Sequence, residues 1–309
     1  MVPLRVVVFG YGELALAAIG TLAGLGVVPL AVVIPGNRVG SDVELVSAEA
    51  RRRGLPVIAQ PPRSQRQPFI AAIAALRPDL LFVWSYSMLL PPDLLAIAPR
   101  GAVNVHGGLL PQYRGGHVMN WAIANGERET GVTLAYLDGG IDTGPVIGQR
   151  RFAIEPGDDA ASVRTKLKIT GVVMIQEWWP AIADGSAPAV AQDESQARYY
   201  RMRTAEDGKI DWARSSTDVV NLVRALVSPW PGAFFMSGET RLVVRRAAVA
   251  GEGASATPGT VVGFDADTVR VATGHGDVRL CSLELDGRAA HLADLRALGI
   301  TEGSRLAAS

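Results

Sequence analysis

Apolar and polar positions through the first half of the chain switch repeatedly between strand-like and helix-like spacing. Leu4 to Phe9 is apolar except for Arg5 and predicts a buried strand, and Glu13 to Leu25 follows with helical periodicity. Val27 to Ile34 predicts the second strand. A helix over Asp42 to Arg53 comes next, with Ser41 as N-cap and Glu44 in the capping-box position. Pro56 to Ala59, a helix near Gln67 to Leu76, and the strand Leu80 to Trp84 continue the rhythm. After them the pattern predicts a short helix (Pro92 to Ile97), a strand (Ala102 to Val105) and a helix (Val118 to Asn125). Val132 to Leu137 and Val146 to Ile154 read as strands, and Asp159 to Ala183 as a long helix in which Trp178 and Trp179 are packing residues. Apolar strands alternating with helices predict an α/β fold: a doubly wound, mostly parallel sheet buried on both faces.

The pattern changes beyond Asp184. Asp184 to Thr204 is mixed, polar and weakly periodic, and reads as a connecting region. A helix near Thr217 to Val227 precedes short strand-like pieces: Ala233 to Met236, Arg241 to Val249, Thr260 to Val262, Val269 to Ala272 and Val278 to Leu285. Turn residues such as Pro258-Gly259 and Asp286-Gly287 separate them, which predicts a small OB-like β-barrel. The expected organisation is a catalytic domain over 1–190, a linker over 191–204 and the barrel domain over 205–309.

Composition narrows the function classes. A chain of 309 residues with 48% apolar content can bury the cores of two domains. Lys+Arg and Asp+Glu balance at 30 each, so no broad basic field is built in, which argues against a nucleic-acid partner. Arg51-Arg52-Arg53 closes a helix, where positive charge complements the helix dipole, and reads as a solvated end. The one cysteine, Cys281, excludes an intramolecular disulfide and a CxxC metal site, and its strand-like setting predicts a small buried filler. His275 and His291 stand without acidic or cysteine partners at ligand spacing, so no metal site is expected. The apolar run near the N-terminus is too short for a signal peptide, and no stretch reaches the roughly 18 apolar residues of a membrane helix. A cytoplasmic protein with no membrane partner is the expectation.

The chemistry concentrates between residues 104 and 144. Asn104 and His106 lie two apart at the end of a strand, so their side chains leave on one face. In an open α/β sheet, the carboxyl ends of the strands are where ligands bind. Gly107-Gly108-Leu109-Leu110-Pro111 follows, then Tyr113-Arg114-Gly115, and further on Asp138-Gly139-Gly140-Ile141-Asp142 with Gly144. An amide to bind an oxyanion, an imidazole to move a proton and a carboxylate to orient and charge the imidazole suit acyl transfer. Nearer the start, Gly10-Tyr11-Gly12-Glu13-Leu14-Ala15 imitates a dinucleotide-binding fingerprint. Ile34 to Arg38 supplies no carboxylate for a ribose, so an NAD-binding reading falls behind one in which Gly10 and Tyr11 shape a wall of an acceptor site.

With these motifs in place, the chain resembles the folate-dependent formyltransferases over nearly its whole length. The group includes the methionyl-tRNA and sugar-nucleotide enzymes. The resemblance implies 10-formyltetrahydrofolate as co-substrate and Asn104, His106 and Asp142 as catalytic residues. It implies a folate pocket made by Met88, Leu89 and Leu90, by Gly108, Leu109, Leu110 and Pro111, and by Asp138, Gly139, Gly140 and Ile141. Pro229-Trp230-Pro231-Gly232-Ala233-Phe234, Pro111 to Gly115 and Asn120 to Gly126 look more like the enzyme acting on UDP-4-amino-4-deoxy-L-arabinose than like the tRNA enzyme. The implied partner is therefore a small-molecule amine, first a nucleotide-linked amino sugar. Methionyl-tRNA and other amines, such as a hydroxylated ornithine, stay open, as does a homodimer. Two positions depart from the pattern: Gly108 where many relatives carry serine, and Gly115-Gly116-His117, which makes His117 a candidate substrate contact beside Gly10 and Tyr11.

Overall fold

The computed structural model describes residues 4–306 except 252, 254, 266 and 267, so the two ends of the expected domains, 1–3 and 307–309, lie outside the described residues. Contacts divide the chain into two compact units. The first comprises 1–115, 131–152 and 165–199; the second comprises 116–130, 153–164 and 200–309.

Along the chain the elements begin with β1 (Val6–Gly10), α1 (Gly12–Gly24), β2 (Ala31–Pro35), α2 (Ser41–Arg52), β3 (Val57–Gln60), α3 (Arg66–Ala75) and β4 (Leu80–Trp84). They continue with α4 (Pro92–Leu95), β5 (Ala102–His106), the two-residue β6 (Arg114–Gly115), α5 (Val118–Ala124), β7 (Glu129–Tyr136), β8 (Val146–Ala153) and α6 (Ala160–Asp184). After another two-residue strand, β9 (Tyr199–Tyr200), come α7 (Ser216–Ala225), β10 (Ala233–Ser237), β11 (Thr240–Gly251), β12 (Val261–Asp265), β13 (Thr268–Ala272), β14 (Asp277–Leu285), β15 (Arg288–Ala289) and α8 (Leu292–Ala297).

The first unit is built on a seven-stranded sheet of order β3-β2-β1-β4-β5-β7-β8. Its first five strands pair in parallel, and β7 runs antiparallel to β5. Every residue of β1 and β4 is buried, which is why these segments carry no alternating polar face. Strand order reverses between β1 and β4, the kind of crevice in which α/β sheets bind ligands. Parallel register sets Gly10 beside Trp84 and Trp84 beside Val105, so three carboxyl ends stand level. Trp179 on α6 packs edge-to-face on Phe82 at 6.1 Å, and Trp178 lies over Gly148, as expected of packing residues.

In the second unit, α5 and α7 pack together, joined by the Asn120 amide donating to the Ala225 carbonyl at 2.7 Å. Ser215 and Asp218 form a reciprocal capping box on α7. The strands form one antiparallel sheet, β10-β11-β14-β13-β12, with β15 on β14, giving a small barrel-like domain. Register shifts along β11 and β14 supply the curl.

Four local expectations change. The second strand begins at Ala31 rather than Val27, because Val27 N donates back to Leu22 O and Pro29 has no N–H for a ladder. The N-cap of α2 is Gly40 rather than Ser41: the backbone N–H groups of Val43 and Glu44 bond the Gly40 carbonyl, and no side chain caps the turn. Cys281 is partly exposed instead of buried, since Leu280 and Leu283 take the core positions on either side of it. Helix α8 has no counterpart among the expected elements: at six residues it is too short to show a full apolar period.

A side chain at Gly171 on α6 would meet the Trp84 ring at 2.5 to 2.6 Å. Gly171→Val is expected to destabilise the first unit by about 1–3 kcal/mol, the usual range for overpacking a filled core. Urea unfolding followed by tryptophan fluorescence measures it, and an unchanged midpoint contradicts this packing.

Candidate active site

The turns that leave the level strand ends of β1, β4 and β5 carry the candidate chemistry. After β1, Tyr11 N donates to Ser85 O at 3.0 Å, tying that turn to the one after β4. Gly10 is tightly enclosed, because a Cβ there would strike the Trp84 carbonyl and Ala15. The Arg38 guanidinium lies 4.3 Å above the Tyr11 ring.

Asn104 sits inside β5 between Val83 and Ala135, half-buried. Among the described residues its side chain makes no hydrogen bond, which leaves the amide N–H available to a ligand oxygen. His106, at the end of the strand, is 7% exposed and fixed from two sides. Its Nε2 lies 2.6 Å from the Tyr113 carbonyl and its Nδ1 3.5 Å from Asp142 Oδ1. A carbonyl only accepts, so Nε2 carries a proton by this assignment of the network. At 3.5 Å the second contact is long for a hydrogen bond. A proton arriving at Nδ1 completes an ion pair with Asp142 there.

Asp142 adopts φ 54°, in the left-handed region, which a non-glycine residue occupies at some cost. Its Oδ2 accepts from Gly115 N at 2.8 Å. In the preceding loop, Asp138 Oδ1 accepts from Gly140 N at 2.8 Å and from the Thr143 hydroxyl at 2.6 Å. Gly144 lies against the Tyr136 carbonyl with no room for a Cβ. Asp138, Gly139, Gly140 and Ile141 are all exposed.

The other two loops assigned to a folate pocket are held differently. Between Met88 and Leu90, Leu89 is 70% exposed, whereas Leu90 and Tyr86 pack on the sheet core. Gln60 donates to the Leu89 carbonyl at 3.1 Å and accepts from the Tyr86 hydroxyl at 2.8 Å. Burial pushes the Tyr86 phenol well above its ordinary range, so it stays a neutral donor. The loop Gly108 to Pro111 is pinned by Thr133, a fully buried hydroxyl on β7. Thr133 Oγ1 donates to Gly108 O at 2.7 Å and accepts from Leu110 N at 3.3 Å and Gln149 Nε2 at 2.8 Å. Gln149 Nε2 also reaches Leu110 O at 3.0 Å.

The trio, the three loops, Gly10 and Tyr11 all belong to the first unit; His117 belongs to the second. There His117 is the N-cap of α5 at φ 53°, half-buried edge-on to Trp230 at 4.6 Å, with Nδ1 accepting from Arg203 N at 3.1 Å. Tyr113 and Thr133 take roles that their residue types do not announce. Tyr113 contributes a backbone carbonyl, which leaves no trace in residue type. Thr133 left a faint one, a hydroxyl between Val132 and Leu134 in an otherwise apolar run.

Comparison with known proteins identifies the class as a formyltransferase. Residues 36–177 match the formyl transferase family and 203–295 match the formyl transferase C-terminal domain. The chain is 34% identical over 307 residues to methionyl-tRNA formyltransferase of Myxococcus xanthus (strain DK1622), covering 98% of this chain and 96% of that protein. The chain belongs to the formyltransferase family. Among solved structures it resembles WlaRD, a sugar 3N-formyl transferase determined with dTDP and 5-N-formyl-THF. There the TM-score is 0.69 and identity 17%, covering 90% of this chain and 97% of that one. The N-formyltransferase of Helicobacter canadensis, determined with folinic acid and dTDP-3-aminofucose, superimposes with TM-score 0.71 at 18% identity over 90% of this chain and 98% of that one. HypX of Aquifex aeolicus with tetrahydrofolic acid gives 0.59 at 21% identity over 96% of this chain and 47% of that one. These likenesses show a shared fold.

Thr133→Val removes the hydroxyl while keeping its shape, leaving the Gly108 carbonyl and the Leu110 N–H without this buried partner. A loss of about 1–3 kcal/mol is expected on chemical denaturation, the cost of stranding buried polar groups. Thr133→Ser should restore most of it. Equal stability of the Val and Ser variants contradicts this account of the loop.

Proposed function

We propose that this chain transfers a formyl group from 10-formyltetrahydrofolate to the amine of a small molecule, first a nucleotide-linked amino sugar. The observation that carries the reading is an Asn104 amide with no hydrogen bond among the described residues, two positions along one strand from a His106 ring held against Asp142. On this reading Asn104 donates to the formyl oxygen as charge builds on it when the amine attacks the formyl carbon. His106 takes the amine proton at Nδ1, where the Asp142 carboxylate stabilises the imidazolium, and returns it to the nitrogen that leaves as tetrahydrofolate forms. No metal or further cofactor enters this scheme.

The loops Met88 to Leu90, Gly108 to Pro111 and Asp138 to Ile141 are assigned to the folate. An exposed leucine beside half-buried apolar residues suits a flat heterocycle, and the fixed backbone groups suit its polar edge. The folate derivatives bound to the neighbouring structures support this assignment. A cytoplasmic setting is part of the same reading.

For the acceptor, the charge pattern of the second unit favours a small molecule. Segment 205–309 carries more Asp and Glu than Lys and Arg. Arg214, Arg245, Arg279 and Arg288 there pair with Asp218, Glu284, Asp265 and Asp294, and Arg201 with Asp207. Paired arginines supply little of the phosphate-neutralising field that a tRNA contact needs. The aminosugar nucleotide of the Helicobacter structure supports the same class. A second reading, formylation of initiator methionyl-tRNA, is favoured by the Myxococcus relative.

Formylation assays with 10-formyltetrahydrofolate, run in parallel on initiator methionyl-tRNA and on dTDP- and UDP-linked amino sugars, separate the two. Turnover of an amino sugar that survives chelation is expected; efficient, steeply salt-dependent turnover of the tRNA overturns the small-molecule reading.

In the active assay, Asn104→Ala should lower kcat by about 100- to 1,000-fold, the usual cost of one oxyanion donor. Losses from His106→Ala and Asp142→Asn should combine with far less than additive effect, as for groups acting as one unit. Fully additive losses, or an Asp142→Asn enzyme with normal turnover, contradict the proposed roles.

A further inference from the structure

Neither the trio nor the folate loops account for the guanidinium of Arg114. The residue has no exposed surface. Its Nη1 and Nη2 meet the Glu194 carboxylate at 2.9 and 2.6 Å, in the fork geometry that makes arginine–carboxylate pairs strong. Nη1 also donates to the Tyr199 hydroxyl at 2.7 Å. The Glu194 carboxylate outweighs the effect of burial and holds Arg114 above its ordinary range, while Arg114 holds Glu194 below its own. Nε and Nη2 converge on Gln192 Oε1 at 3.1 and 2.9 Å.

With its oxygen committed to Arg114, Gln192 can present only its NH2 group in the other direction. There Nε2 donates to the carbonyls of Asp142 at 2.8 Å and Gly144 at 2.7 Å, on either side of Thr143. The chain neighbours of Arg114 complete the arrangement. Tyr113 O receives His106 Nε2, and Gly115 N donates to Asp142 Oδ2. Imidazole and carboxylate are thus each bonded to a residue adjacent to one buried, multiply anchored side chain. The loop that carries Asp142 is clamped by the glutamine which that side chain orients.

We propose that Arg114 and Gln192 are positioning residues for formyl transfer, fixing the Asp142 carboxylate against the His106 ring. The inference rests on the reading of Asn104, His106 and Asp142 as the catalytic trio. The clamp needs both groups of the Gln192 amide at once, an acceptor for the guanidinium and a double donor for the loop. Asp142 needs it because its left-handed backbone is not one the residue adopts unaided.

The test uses Gln192→Glu in the full chain. This variant keeps an oxygen for Arg114 but has no N–H for the two carbonyls. Hydrogen exchange followed by mass spectrometry should show faster exchange in the segment holding residues 138–146 and at Gly115, with β1 and β4 unchanged. Exchange that stays at wild-type rates overturns the clamp.

In formylation assays with 10-formyltetrahydrofolate and the same tRNA and amino-sugar acceptors, kcat should fall by about 10- to 100-fold, the scale of a small misplacement of reacting groups. KM for the folate should move much less. On an Asp142→Asn background the same change should cost little more, because Gln192 acts through Asp142. A loosened loop with normal kcat, or the full loss repeated on the Asp142→Asn background, overturns the positioning role. Should Gln192→Glu lose its folded signal, Gln192→Met, matched in length and uncharged, replaces it. A wild-type enzyme that formylates none of these acceptors removes the reading of the trio instead, while exchange still decides the clamp.

Discussion

The level register of β1, β4 and β5 is the constraint on which the site depends. Parallel pairing puts Gly10, Trp84 and Val105 in one row, and the three turns beyond them start from a common edge. Asn104 and His106 then share a face because a strand repeats every two residues. A slip of β5 by one residue would turn that face over and carry the amide and imidazole together to the other side of the sheet, away from Asp142. Because β1 and β4 are buried on both faces, a slip would break close packing on either side of the sheet, so the packing that stabilises the fold also fixes the chemistry.

Beyond the strand ends, polar side chains take over the role of the ladder. Thr133 and Gln149 hold the Gly108 to Pro111 loop, and Arg114 with Gln192 holds the segment around Asp142. Burying a guanidinium is costly unless it is paired and its donors are satisfied. Here Glu194, Tyr199 and Gln192 share its Nε, Nη1 and Nη2 groups. Such a network adds little stability over an apolar core of the same shape, yet it specifies one geometry, which is the property a reacting site requires.

How much of this was legible in the sequence follows from how local each signal is. The alternation of strands and helices, the paired Asn104 and His106, and the glycine-rich run around Asp138 to Asp142 are short-range patterns that periodicity and residue type express directly. The partners of Arg114 are not: Gln192, Glu194 and Tyr199 stand 78 to 85 residues away, in a stretch that reads only as polar and aperiodic. Tyr113 acts through its carbonyl, so its side chain carries no message about the bond to His106. Smaller misreadings have the same origin. Gly40 replaced Ser41 as N-cap because the carbonyl at 40 already accepts from Val43 and Glu44, and Pro29 delayed the second strand because it lacks an N–H.

The departures from the familiar motif also gain a physical meaning. Gly108, a departure from the motif on the sequence resemblance, sits in a loop whose carbonyl is already bonded by Thr133, so loop shape here does not rest on a side chain at 108. In the second unit, His117 spends its Nδ1 on the Arg203 N–H and its ring on Trp230, while Arg203 stacks 4.2 Å from the Trp121 ring. Burial lowers Arg203 from its ordinary range, so this cation is part of a packed aromatic cluster rather than a free charge. A basic count taken from the sequence overstates the charge such a unit can offer to a polyanion.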